Sequence, residues 1–172
     1  MKKILITGST GQLGNSLGKV FKSRYDLVST SRTKPNKNTN YFLDITNSLL
    51  VKDMVSAISP DIIINLAALT NVDLCESNPD LAHAINFQGV KNLVNVFKGP
   101  IIHLSTDYVF DGKLGKYKES DVTNPINVYG VTKFKAEKIL LEKSKESLVI
   151  RTNVLYDYQS KSKASFLNWV VD

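Results

Sequence analysis

Short continuous apolar runs alternate along this chain with longer stretches whose apolar residues recur every three or four positions. "KILIT" (3–7) runs straight into glycine, as expected of a strand covered on both faces, where no solvent side imposes polar alternation. "QLGNSLGKVFKSR" follows with Leu13, Leu17, Val20 and Phe21 at helical spacing. "DLVSTS" reads as a second strand, "TKPNKNTN" as a polar loop and "YFLDI" as a short edge strand. "NSLLVKDMVSAI" places Leu50, Met54, Val55 and Ile58 on one helical stripe, and "DIIINLAA" is the strongest strand of the chain. "NPDLAHAINFQGVKNLVNVFK" reads as one long helix, with Asn78 as N-cap and Pro79 at the first helical position, where its missing N–H costs no helical bond. "PIIHLST" and "LVIRTNVLY" are the later strands, and a helix carrying Tyr129 and Lys133 lies between them.

This alternation predicts an α/β fold, a doubly wound parallel sheet with helices on both faces. Right-handed crossovers would bring the carboxyl ends of the strands to one edge, where such folds bind ligands. A length of 172 residues suits one well-filled core. No apolar run approaches the roughly eighteen residues that span a bilayer, so no membrane partner is expected. The apolar stretch behind Lys2 and Lys3 breaks at Thr7 and Gly8, so no secretory leader is expected. The single cysteine, Cys75, cannot close an internal disulfide and fits a reducing, cytoplasmic setting. The net charge of +6 is spread over scattered lysines with no accompanying nucleic-acid motif, so no nucleic-acid partner is expected. "KASFLNWVVD" starts a further helix with Phe166, Trp169 and Val170 on one side, a face whose cover would be a second copy of the chain in a homodimer.

Chemistry enters at "TGSTGQLG". Gly8, Gly11 and Gly14 lie between the first strand and the first helix, where they permit a tight turn and close approach of a pyrophosphate to the helix amides. The spacing resembles that of the short-chain dehydrogenase/reductase superfamily, which makes the expected sheet Rossmann-like. The end of the second strand should choose between the nicotinamide cofactors. A carboxylate there suits NAD(H) by accepting from the ribose hydroxyls. This chain has none between Asp26 and Asp44 and offers Ser31 and Arg32, with Lys34 and Lys37 beyond. A guanidinium facing a 2′-phosphate makes charge-assisted bonds that a hydroxyl cannot match, so NADP(H) is preferred and NAD(H) is the alternative.

Tyr129 and Lys133 stand one helical turn apart and share a face. A carbonyl that receives hydride needs a proton as charge develops on its oxygen. A phenol of ordinary pKa, roughly 10, is a slow acid–base group, and a nearby ammonium would stabilise its phenolate. The strand-end "LSTDYVF" supplies Ser105 and Thr106, hydroxyls able to bond the substrate oxygen. His103, just before that edge, reads as a satisfied core histidine. His83 receives no role, and no His, Cys or carboxylate set has metal-ligand spacing.

Together, "GSTGQLG", "NLAALTNVDLCESNPDLAHAIN", "LSTDYVFDG", "NPINVYGVTK" and "IRTNVLY" resemble the dTDP-4-dehydrorhamnose reductase family of extended short-chain reductases. The resemblance implies NADPH-dependent reduction of the 4-keto group of dTDP-4-dehydro-L-rhamnose, with a nucleotide sugar as substrate. It also implies Thr106 as the reacting hydroxyl, Tyr129 as proton donor and Lys133 as the partner lysine. Gly11, Gln12 and Leu13 match the family's pyrophosphate loop, Asp44 and Ile45 its adenine-side pair, and Leu66, Ala67 and Ala68 the segment passing the nicotinamide. Asp107 matches a position beside the sugar. Ala136 replaces a usual glycine, and Val154 stands where many members carry tryptophan, which bears on the choice of sugar. By this resemblance residues 1–156 form the cofactor domain and 157–172 begin a truncated substrate-binding region. Two other readings share the pattern: a non-catalytic regulator like the beta subunit of methionine adenosyltransferase, and a reductase or epimerase of another nucleotide sugar.

Overall fold

Ile4, Leu5 and Ile6 are almost wholly buried because β1 (Lys3–Thr7) lies at the centre of a six-stranded parallel sheet. The computed structural model describes residues 1–33 and 41–155. The other strands are β2 (Asp26–Ser31), β3 (Tyr41–Phe42), β4 (Ile62–Asn65), β5 (Ile101–Thr106) and β6 (Leu148–Thr152), in the order β3-β2-β1-β4-β5-β6. Every pairing is parallel. The order reverses between β1 and β4, so a crevice opens at the carboxyl ends of those two strands.

Period-two alternation sorts the strand side chains onto two faces. Leu5, Val28, Ile63 and Ile101 join Val51, Val55, Val90, Leu93, Ala136 and Leu140 in the larger core. Those partners come from α2 (Ser48–Ile58), α5 (Gly89–Val96) and α6 (Val128–Lys143). Ile4, Ile6 and Ile64 face the other way, against Leu17 and Phe21 of α1 (Gln12–Phe21). The doubly wound sheet expected from the hydrophobic pattern is therefore the fold. No helix among the described residues is long and apolar enough to cross a membrane.

Several local expectations shift. On α1, Val20 is exposed, while Leu13, Leu17 and Phe21 are half-buried. On α2 the buried stripe centres on Val51 and Val55, and Leu50 lies at its exposed margin. "DIIINLAA" is strand only as far as Asn65. The helix expected from Asn78 is preceded by α3 (Val72–Ser77), capped by Asn71, whose side chain accepts from Leu74 N at 2.8 Å. Asn78 itself makes no side-chain cap. From Pro79, α4 (Pro79–Ala82) passes through a π-helical turn, His83–Gln88, into α5. Lys34, Lys37, Phe166, Trp169, Val170 and the 157–172 segment lie outside the described residues.

Candidate active site

The glycine turn lies at the sheet reversal. Gly8 adopts φ +67°, and a Cβ there would fall 2.6 Å from the backbone nitrogen of Ala67. It is glycine because the turn after β1 and the segment after β4 touch; Leu66 N also donates to Thr7 O at 3.2 Å. A Cβ at Gly14 would meet the Ser9 backbone, so that glycine brings α1 onto the turn. Gly11 is different: it is exposed, and the nearest atom to its Cβ position is Gly8 O at 3.4 Å. Gly11 is the N-cap of α1 and offers no side chain to the first-turn amides, which begin at the half-buried Gln12 and Leu13. Ser9 Oγ is buried beneath the same turn without a partner among the described residues. Free amides, a buried hydroxyl and an open glycine face fit a pyrophosphate.

The adenine-side candidates behave unequally. Arg32 is exposed at the end of β2, free to reach a phosphate, and Ser31 is buried and bonded to Thr33. The Asp44 carboxylate accepts from Thr46 N and Oγ1, which shapes the turn before α2. Ile45 is buried in the larger core, and its carbonyl accepts from Asn92 Nδ2 at 2.9 Å. Ala67 packs on the larger core and Leu66 on the smaller, with Ala68 half-buried beyond them. Asn86, in the π-helical turn, fastens the next residue: it accepts from Leu69 N and donates to Leu69 O and Thr132 Oγ1.

The reactive groups gather at the end of β5 and on α6. Asn127 caps α6 by accepting from Gly130 N at 2.7 Å, and Glu76 of α3 accepts from Val128 N at 2.6 Å. The Tyr129 ring is buried against Cys75 and Ala82, with Leu69, Val72 and Val128 around it, and meets Tyr108 edge-on at 5.7 Å. Burial is the larger influence on its phenol and raises the pKa; the nearby Thr106 hydroxyl opposes this. Thr106, at the end of β5, accepts from Tyr108 N and donates to Asp107. Asp107 and Tyr108 are exposed, and Ser105 Oγ is buried without a partner among the described residues.

Lys133 is buried, and its ammonium donates to Leu104 O and lies 3.2 Å from His103 Nε2. Desolvation lowers its pKa to about 7, against an opposing pull from Glu137. Sequence reasoning expected the lysine to favour a phenolate at Tyr129. Here its bonds go to β5, and the phenol is held in its protonated form. His103 is buried as expected, yet its contact with Lys133 was not foreseen. Glu137 was also missed: it is buried and holds Arg151 of β6 through its two oxygens at 2.7–3.2 Å. Its single signal was a carboxylate one turn beyond Lys133.

Beside this group a cleft of about 1030 Å³ is lined by Asp107, Tyr108, Asn127, Arg151 and Val154 among others. Neither Tyr129 nor Lys133 lines it, so it adjoins the reactive groups without containing them. Gly130 sets the packing between the two regions, because a Cβ there would collide with the Tyr108 carbonyl oxygen. Gly130→Ala should therefore lower stability by roughly 3 kcal/mol, read as a fall in the urea midpoint at unchanged slope.

The parallel sheet and the glycine turn at its reversal together define a Rossmann-fold protein. Residues 1–171 match the family described as RmlD substrate binding domain, and the chain belongs to that family. It is 40% identical over 159 residues to a dTDP-4-dehydrorhamnose reductase of Aggregatibacter actinomycetemcomitans, covering 89% of this chain and 51% of that protein. It is 34% identical over 177 residues to methionine adenosyltransferase 2 subunit beta of Xenopus tropicalis, covering 99% of this chain and 52% of that one. A solved dTDP-4-dehydrorhamnose reductase from Bacillus anthracis, in complex with NADP, superposes with a TM-score of 0.84 at 33% identity, covering 99% of this chain and 59% of that one. The chain spans about half the length of the curated relatives it matches.

Proposed function

We propose that this chain is the NADP(H)-binding and proton-donating part of a reductase that converts the 4-keto group of dTDP-4-dehydro-L-rhamnose to the alcohol of dTDP-L-rhamnose. The observation that carries the proposal is the Tyr129 phenol, buried beside the Thr106 hydroxyl at the ligand edge of the sheet, where desolvation favours its protonated form. The nicotinamide would supply the hydride. The α1 amides, Gly11 and Ser9 would hold the pyrophosphate, Arg32 the 2′-phosphate, and the turn at Leu66–Ala68 the nicotinamide end. Thr106 would orient the substrate oxygen while the Tyr129 hydroxyl gives its proton to that oxygen as negative charge develops. Lys133 would hold the nicotinamide ribose with the donor left over from its bonds to β5. Asp107 and Ser105 are the remaining candidates for contact with the sugar.

The test is NADPH oxidation, followed by absorbance, on addition of dTDP-4-dehydro-L-rhamnose. Substrate-dependent oxidation supports the reading. NADPH binding without turnover, in this chain and in one extended to the relatives' full length, would overturn it and favour a regulator like the methionine adenosyltransferase beta subunit, whose likeness runs over 99% of the chain. Cofactor choice has its own check. Arg32→Ala should weaken NADPH binding by roughly tenfold to a hundredfold and leave NADH binding within about twofold, as measured by fluorescence titration.

A further inference from the structure

His103 is fully buried on β5 and takes no direct part in the chemistry above. Both ring nitrogens face hydrogen-bonding side chains. Nδ1 lies 2.9 Å from Nδ2 of Asn65 on β4, and Nε2 lies 3.2 Å from Nζ of Lys133 on α6. Asn65 is held on its other side by the Thr7 hydroxyl of β1, which donates to Oδ1. These contacts cross three neighbouring strands and end on the amine.

A neutral imidazole carries one N–H, so its two nitrogens cannot both accept. With Asn65 donating to Nδ1, the ring proton sits on Nε2 and donates to Lys133, which must then be an unprotonated amine. With Lys133 as an ammonium, Nε2 accepts and the ring proton sits on Nδ1. The Asn65 amide must then turn over so that Oδ1 accepts from Nδ1, and Nδ2 donates to the Thr7 oxygen. The two amide orientations occupy nearly the same space. Burial first, and the neighbouring lysine second, push the His103 pKa well below the usual imidazole range. The ring therefore answers a change at Lys133 by moving its proton rather than by gaining one.

We propose that His103 is a positioning residue for Lys133, and that ring tautomer and Asn65 orientation switch together as the amine gains or loses its proton. The catalytic consequence rests on the reductase reading; the switch itself does not. The charged group acting on this pair is Glu137 on α6, which is bound to Arg151 of β6; Tyr129 lies one turn earlier on α6. Cys75 of α3 and Asp107 stand beyond Tyr129. The π-helical turn presents Asn86, which carries no charge.

The test uses the full ¹⁵N- and ¹³C-labelled chain, without cofactor or substrate. Long-range imidazole spectra, assigned by the signal lost in His103→Gln, report the tautomer. The Lys133 side-chain signals, assigned with Lys133→Met, report the amine. The protonated ring nitrogen should change from Nδ1 to Nε2 as pH rises, with the same midpoint as Lys133, whose pKa is about 7. His103→Leu should lower the lysine midpoint by about one unit, a tenfold change, because the ammonium loses an acceptor. His103→Gln should restore it, since Oε1 can accept. A single tautomer across the range, or a lysine midpoint unmoved in His103→Leu, overturns the proposal. Should His103→Leu fail to fold, the tautomer measurement on the unaltered chain decides. Failure of the turnover assay would count against the reductase reading and leave this measurement standing.

Discussion

Tyr129→Phe should reduce substrate-dependent NADPH oxidation by roughly 10²- to 10⁴-fold while leaving NADPH affinity within about threefold. Phenylalanine keeps the ring that packs on Cys75, Ala82, Leu69 and Val72 and meets Tyr108 edge-on. Only the hydroxyl beside Thr106 is removed, so stability should change by no more than about 1 kcal/mol. Single-turnover kinetics at saturating cofactor, beside a urea titration, separate the two effects. Equal losses of activity and stability would make Tyr129 a packing residue. The direction of its pKa shift suits reduction: burial raises it, so the phenol holds its proton at neutral pH and can give it up only to a developing alkoxide.

Lys133→Met should raise stability and remove its dependence on pH. The buried amine has its pKa lowered to about 7, from an unfolded value of roughly 10.4. Between those values the unfolded chain carries a proton that the folded chain lacks. Stability of the unaltered protein therefore rises with pH across that window, and the full cost of burying the group is present below it. Methionine has a similar length and no charge to desolvate. Removing that cost is worth roughly 2–4 kcal/mol at pH 7, against about 1–3 kcal/mol for the bonds lost to the Leu104 carbonyl and His103; the variant should gain about 1 kcal/mol net, and the rise between about pH 7 and 10 should vanish. Denaturant titrations at several pH values check this. Activity should fall in the same variant, because the donor proposed for the ribose is gone. A gain in stability paired with a loss of function is the mark of a group retained for chemistry.

The relation of sequence to structure differs from element to element. β1, β4 and β5 are covered on both sides, so "KILIT", "DIIIN" and "IIHLST" are legible as apolar runs wherever the neighbouring strands lie. α6 shows the reverse. Its buried face carries Tyr129, Gly130, Thr132, Lys133, Ala136 and Glu137, and only Leu140 is a large aliphatic residue. No apolar stripe marks that face; the Y-x-x-x-K spacing after "NPINV" was what pointed to it. α3 escaped for another reason. It has six residues, too short for a periodic pattern, and its signal was Asn71 at the cap with Asp73 in the first turn. Yet α3 supplies Cys75 to the tyrosine's pocket and Glu76 to the start of α6. The π-helical turn was hidden in a run that reads as continuous helix, and its use is to aim Asn86 at Leu69 and Thr132.

By itself the sequence determined the strand–helix alternation, the place of the glycine turn and the residue types able to act as proton donor, amine and hydroxyl. These are properties of local pattern: burial on two faces imposes apolar runs, and a turn against a neighbouring backbone demands glycine. Tertiary structure alone decided where Lys133 spends its hydrogen bonds, that His103 meets it, and that Glu137 is tied to Arg151. Those facts depend on four parallel strands and a helix meeting at residues 14 to 58 positions apart, in a largely buried volume. Desolvation, which sets the protonation of Tyr129, Lys133 and His103, belongs to that enclosed volume and to no segment of the chain.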